Sequence, residues 1–258
     1  MADEAIRGRF LWHELMSKDP EAGQKSYTEL VGWGTQTEDP GTGPYTMFTF
    51  GESPMAGVMQ LPEEAEQMGA PTHWLLYVGV PDADATVAQA KELGGQAYME
   101  PFDVPTVGRI AVIADPQGAA LGVFTPLEAP PESEAGRADF VWHELATSGY
   151  EAAIGFYQQL FGWEKTEAVD MGEGNIYQMY GRGSSDSLGG MLNKPPEMPV
   201  SAWMMYIEVE NVDAAATRIP ELGGQVLNGP MEVPGGGRIL QGMDPQGGMF
   251  AFHTAPAG

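Results

Sequence analysis

"FLWHEL" spans Phe10–Leu15, and "FVWHEL" spans Phe140–Leu145. Trp12 and Trp142 are 142 − 12 = 130 positions apart. The same spacing relates Tyr27 to Tyr157 and Gly32–Trp33 to Gly162–Trp163. Further on, "LGGQ" at Leu93 recurs at Leu222, "VP" at Val104 recurs at Val233, "GRI" at Gly108 recurs at Gly237, and "DPQG" at Asp115 recurs at Asp244. A spacing that holds along the chain and slips only in loops marks an internal duplication. The stretch Thr125–Arg137, "TPLEAPPESEAGR", is rich in Pro and Glu and poor in apolar residues, which suits an exposed connection. The sequence therefore predicts a first domain over 1–125, a linker over 126–137 and a second domain over 138–258.

Within each copy the periodicity changes twice. Apolar alternation over Phe10–Met16 predicts a strand. Asp19 is placed to cap a helix that begins at Pro20 and ends at Gly32. Strand-like runs follow at Gly34–Glu38, Tyr45–Gly51 and Met55–Leu61. The order then restarts with a strand at His73–Val80 and a helix capped by Asp82 and stopped at Gly94–Gly95. Strands at Gln96–Val104, Arg109–Ala114 and Ala119–Thr125 complete it. The result is βαβββ twice per copy. Pro220 is expected to shorten or kink the matching helix of the second copy, because proline lacks a helical N–H and clashes with the preceding turn. "DPQG" reads as a tight turn, and each "GW" as a helix stop followed by a buried indole.

Composition narrows the function. Apolar residues make up 43% and charged residues 19%, as in a globular chain. With 36 acidic and 12 basic side chains the net charge is −24, a field that repels nucleic acid and anionic membranes and attracts cations. There is no cysteine, so disulfides and thiolate metal sites are excluded. No apolar run is long enough to cross a membrane. "MADEAIRGRF" lacks the apolar centre of a signal peptide, giving the expectation of a cytoplasmic protein.

The fourfold βαβββ order, "FYQQLFGW" at Phe156–Trp163, the "LGGQ" helix stops and the paired "GRI" and "DPQG" motifs resemble the vicinal oxygen chelate superfamily. That superfamily includes glyoxalase I, bleomycin-resistance proteins and extradiol dioxygenases, and the likeness is to its two-domain glyoxalase-like members. The resemblance covers nearly the whole chain. It implies an α+β fold of two tandem vicinal-oxygen-chelate domains, with four βαβββ modules forming cupped mixed sheets and helices outside. It also implies that modules pair across copies. One cup would then join Trp12 and Glu14 with Tyr206 and His253, and the other Trp142 and Glu144 with Tyr77 and Phe124.

In metal-dependent relatives the cup holds a divalent ion that chelates two substrate oxygens. Counting from the shared motifs places the family's ligand positions at Trp12 and Trp142, near Leu75 and Met204, at Gly122 and Ala251, and within "MAGVM" and "LGGML". None of these carries a metal-binding side chain, so no metal ligand and no cofactor is predicted. A divalent metal remains the alternative.

Strand alternation puts Glu14 and Glu144 on the same face as the tryptophans, with His13 and His143 facing the helices as structural histidines. A carboxylate in an apolar cup has a raised pKa, which makes Glu14 and Glu144 candidate general bases, with His253 as an acid–base candidate found in one copy only. Candidate ligand-binding residues are Trp12, Trp142, Tyr77, Tyr206 and Phe124. Arg109 and Arg238 join them for anion capture, with a structural salt bridge as the competing role. The expected function is metal-independent binding, or conversion, of a small aromatic or cationic molecule. The alternatives are a metal-dependent glyoxalase-like lyase, isomerase or dioxygenase, and a non-catalytic interaction module. The expected partner is a small molecule, with neither nucleic acid nor membrane, for a monomer or homodimer.

Overall fold

The computed structural model describes residues 5–39, 43–130, 138–183, 186–234 and 236–256. Of the expected linker 126–137, residues 131–137 lie outside the described residues. The first copy contains β1 (Phe10–Ser17), α1 (Pro20–Val31), β2 (Gly34–Glu38), β3 (Tyr45–Phe50), β4 (Ser53–Gln60), a short α2 (Glu63–Gln67) and β5 (His73–Gly79). It ends with α3 (Ala83–Glu92), β6 (Gln96–Val104), β7 (Gly108–Ala114) and β8 (Ala120–Pro126). The second copy contains β9 (Phe140–Thr147), α4 (Tyr150–Phe161), β10 (Glu164–Asp170), β11 (Ile176–Gly181) and β12 (Ser187–Asn193). After these come β13 (Ala202–Glu208), α5 (Val212–Glu221), β14 (Gln225–Glu232), β15 (Arg238–Met243) and β16 (Met249–Thr254). The chain is thus α+β, with two tandem domains and four βαβββ modules.

Local chemistry explains the boundaries. The Asp19 carboxylate accepts from Ala22 N–H at 3.1 Å, and Asp82 does the same for Ala85 at 3.0 Å, so each helix start is capped. Gly32 ends α1 with φ 83°, a left-handed conformation that costs glycine little. The expectation for Pro220 is corrected: α5 has ten residues, as does α3. Pro220 stands in the last turn, where little helix remains to be disrupted. The sequence gives no sign of the short α2, because five residues carry too little periodicity to reveal it.

Each copy forms its own eight-stranded sheet, in the orders β2-β3-β4-β1-β5-β8-β7-β6 and β10-β11-β12-β9-β13-β16-β15-β14. At the centre of the first, β1 runs antiparallel to β5, with Trp12 opposite Tyr77 and Glu14 opposite Leu75. At the centre of the second, Trp142 lies opposite Tyr206. The expected pairing of modules across copies is therefore overturned. Trp12 and Glu14 share a cup with Tyr77 and Phe124, and Trp142 and Glu144 share one with Tyr206 and His253. Sequence motifs could not settle this, because β1 and β9 carry nearly the same pattern and each suits either β5 or β13.

The copies meet through their helix-side faces, which form one continuous core. Tyr27 of α1 donates to Asp244 in the second copy's "DPQG" turn at 3.2 Å, and Tyr157 of α4 donates to Asp115 in the first at 3.0 Å. The Trp33 indole N–H reaches Ala138 O at 3.0 Å, and Trp163 reaches Gly8 O at 2.8 Å. The motifs that recur in the sequence are thus largely the contacts that join the halves. The aromatic rings they bury are costly to remove, on the order of 3–5 kcal/mol for each ring truncated to alanine.

Candidate functional site: two unequal cups

Opposite the helix layer, each sheet presents a second face. In the first copy this face gathers Trp12, Met16, Met59, Leu75, Tyr77, Ile110, Val112 and Phe124 into an apolar cluster separate from the main core. Glu14 is buried among them. Its two oxygens accept from different phenols, Tyr45 at 2.7 Å and Tyr77 at 3.1 Å. The Trp12 indole N–H in turn donates to Tyr45 Oη at 2.9 Å. The second cup has the same members, but Tyr177 and Tyr206 both donate to Glu144 Oε2, at 2.9 and 3.2 Å, and Trp142 donates to Tyr177 at 2.7 Å.

The chain is built around these phenols. A Cβ on Gly57 would stand 1.8 Å from Tyr45 Oη and 3.0 Å from Glu14 Oε1, and one on Gly190 would stand 2.2 Å from the Tyr177 ring. Both glycines lie in the "MAGVM" and "LGGML" strands, so the rings occupy the space that side chains there would fill. Burial pushes the carboxyls of Glu14 and Glu144 up, and the tyrosine hydrogen bonds oppose that rise. Burial and the adjacent glutamate push the tyrosine hydroxyls up as well, so they remain donors. Trp12, Trp142, Tyr45 and Tyr177 are only partly buried, so part of each side chain is exposed.

The cups differ along one wall. Where the first has Val112 and Phe124, the second has Gln241 and His253. The Gln241 amide donates to Tyr206 Oη at 2.8 Å and to Glu144 Oε1 at 3.3 Å. His253 Nδ1 lies 2.5 Å from Glu208 Oε2, and Glu208 Oε1 accepts from Ala255 N–H at 2.9 Å. The first copy has Gly79 in the place of Glu208. Glu208 pairs with His253, and Tyr206 with Ala251, in the parallel register of β13 and β16. The His–Glu pair therefore lies one pleat repeat, about 7 Å, from the Tyr206 row.

Arg109 and Arg238 fall outside both cups. Alternation puts Arg109 on the face opposite Ile110 and Val112, where it pairs with Asp84 at the start of α3 at 2.5 Å and with Asp103 at 2.9 Å. Arg238 pairs with Asp213 of α5 at 3.0 Å. As cup ligands these two are corrected: odd–even alternation within β7 and β15 turns them towards the helices. His13 and His143 also face away from the cups, buried at the interface between copies. The sequence motifs do not single out Tyr45, Tyr177, Gln241 or Glu208. The spacing between Tyr45 and Tyr177 is 177 − 45 = 132, so a loop slip hides them from a search at 130.

A divalent ion needs several histidine or carboxylate donors converging on one point. Among the described residues no three His, Asp or Glu side chains gather in that way. Each cup centre offers one carboxylate, already bonded to two phenols, so this donor set does not fit the ion that the fold's metal-dependent relatives hold.

Comparison with known proteins agrees with the architecture. The family model described as Glyoxalase/Bleomycin resistance protein/Dioxygenase superfamily matches residues 9–123 and 139–252. CFP32 of Mycobacterium tuberculosis, which is named as a glyoxylase, is 32% identical over 93% of this chain and 92% of its own length. The anthracycline biosynthesis protein DnrV of Streptomyces peucetius is 33% identical over 93% of this chain and 90% of its own. Among solved structures, a Mn(II)-bound glyoxalase from Novosphingobium aromaticivorans superposes with a TM-score of 0.64 at 15% identity, covering 98% of this chain and 83% of that one. The 2,3-dioxygenase LapB from Pseudomonas sp. KL28 superposes with a TM-score of 0.66 at 13% identity, covering 98% and 94%. At these identities the two structures speak to fold alone.

Proposed function

The chain belongs to the glyoxalase/bleomycin resistance protein/dioxygenase superfamily, and from that premise we propose that it binds a small aromatic or cationic molecule in its cups without a metal ion. One observation carries this reading: a Trp–Tyr–Glu–Tyr cluster, seated over glycines, fills the centre of each cup. Indole and phenol faces stack on planar ligands, and a buried carboxylate attracts a cation or a hydrogen-bond donor. The net charge of −24 steers cations the same way. A relative named for anthracycline biosynthesis is consistent with a planar aromatic ligand. Because one copy's own strands complete each cup, a monomer suffices.

A second reading, conversion of the ligand by a lyase or isomerase, is favoured by the raised carboxyls of Glu14 and Glu144. Each could take a proton from a bound substrate, and a relative carries a glyoxylase name. Isothermal titration with 2-naphthol and with N-methylquinolinium tests the binding reading. Saturable binding of at least one probe is expected, weakened tenfold or more when Trp12 and Trp142 are both replaced by Ala. Absence of saturable binding with either probe overturns it.

A further inference from the structure

We propose that the second cup selects aromatic ligands carrying a hydrogen-bond donor, a ring hydroxyl above all, and that His253, held by Glu208, is the group that reads it. This deepens, and rests on, the reading of the cups as aromatic sites. The carboxylate of Glu208 can only accept, so it fixes the proton of the neutral imidazole on Nδ1. Nε2 is then a bare acceptor, and among the described residues it has no hydrogen-bond partner. Both Glu208 oxygens are engaged, one by His253 and the other by Ala255 N–H. The acceptor left for a ligand on this wall is therefore Nε2.

A Cβ on Gly237 would come within 2.5 Å of Nε2, so glycine there makes room for the imidazole in this orientation. His253 keeps 26% of its side-chain surface exposed, and Glu208 keeps 17%. Gln241, by contrast, is committed: its amide donates to Tyr206 and Glu144, and its Oε1 accepts from Asn228. The first cup lacks every part of this device. It has Phe124 for His253, Val112 for Gln241 and Gly79 for Glu208, and Ile110, Val112 and Phe124 line its wall. A ligand hydroxyl turned towards that wall loses water and gains no partner. The same tyrosine–glutamate floor thus serves two preferences, a hydroxylated ring in the second cup and a plain ring in the first.

A matched pair of probes tests this. 2-Naphthol donates a hydrogen bond, whereas 2-methoxynaphthalene has nearly the same shape and cannot donate. Titration of each into the full chain should show a site that prefers 2-naphthol about tenfold, and His253→Phe should abolish that preference. In a spectrum of the imidazole nitrogens, the chain's 4 histidines are the residues to be assigned. Nε2 of His253 should shift with 2-naphthol and stay in place with the ether. Glu208→Gln keeps a hydrogen-bonding group but no longer fixes the tautomer, and should reduce the preference while the ether still binds. If the two probes bind wild type equally, or His253→Phe leaves the ratio unchanged, the inference falls while the aromatic reading stands. If neither probe binds, the aromatic reading fails first and this one with it.

Discussion

His13 Nε2 lies 2.8 Å from His143 Nε2, a bond between equivalent residues of the two copies. His143 Nδ1 faces Leu188 O at 3.4 Å, and a carbonyl can only accept. Nδ1 of His143 therefore carries its proton, and Nε2 accepts from His13. Phe140 stacks on His13 at 3.6 Å, and Phe10 stacks on His143 at 3.5 Å. The duplicated "F-x-W-H-E-L" strand thus contributes its histidine and first phenylalanine to the joint between domains, and its tryptophan and glutamate to the cups.

Acid should loosen this joint. Burial, reinforced for His13 by its neighbour, depresses both histidines, and His143 is pushed down to about 3. In the unfolded chain both titrate near the ordinary value of about 6.5, so below that pH the unfolded state binds more protons. Stability should therefore fall as pH drops from about 6.5 towards 3, by about 1.4 kcal/mol per pH unit per histidine. Glu14 and Glu144 act with the opposite sign. Their raised carboxyls contribute stability below about 4.3 that is lost as pH rises through the folded value. A variant separates the two effects: urea unfolding between pH 8 and 5 should show a steeper loss for wild type than for the double variant His13→Gln, His143→Gln. Equal slopes would refute the shared-proton joint.

The cup floor predicts a contrast between glycines. Gly57→Ala drives a methyl into Tyr45 Oη and should cost about 1–3 kcal/mol, as overpacking does. Gly155, within α4, has open space where a Cβ would stand. Gly155→Ala should stabilise by about 0.5–1 kcal/mol through helix propensity. Thermal unfolding of the two variants checks both signs.

Arg109→Ala should leave aromatic binding unchanged, because its guanidinium pairs with Asp84 and Asp103 on the helix side. A tenfold loss of affinity for 2-methoxynaphthalene, the plain ring that suits the first cup, would place it back in that cup. Tyr45→Phe should act the other way. It removes one donor from Glu14 and the acceptor of the Trp12 N–H, so it should cost about 1–3 kcal/mol in stability and weaken ligand binding to the first cup. Denaturant unfolding and titration calorimetry measure the two effects separately.

The fold was legible because its punctuation is local. Asp19 and Asp82 cap helices, Gly32 stops one, and "DPQG" turns the chain wherever it occurs. Alternation likewise placed Glu14 and Trp12 on one face. Which strand lies beside β1 is a long-range choice, and no local pattern records it. The duplicated motifs do link the copies, as Tyr27–Asp244 shows, but through the helix layer and not through the cups. Tyr45 and Tyr177 stayed hidden because their strands follow loops of different length. The partnership of His253 with Glu208 depends on the parallel register of β16 against β13.

The claim that the tyrosine–glutamate clusters stand in place of an ion is tested most directly by metal analysis joined to binding. Protein purified from metal-replete medium is assayed for manganese, iron, nickel and zinc by mass spectrometry, and 2-naphthol affinity is measured before and after treatment with EDTA. The account predicts well under one metal ion per chain and the same affinity in both states. One tightly held ion per cup, with affinity lost on its removal and restored on its return, would contradict it.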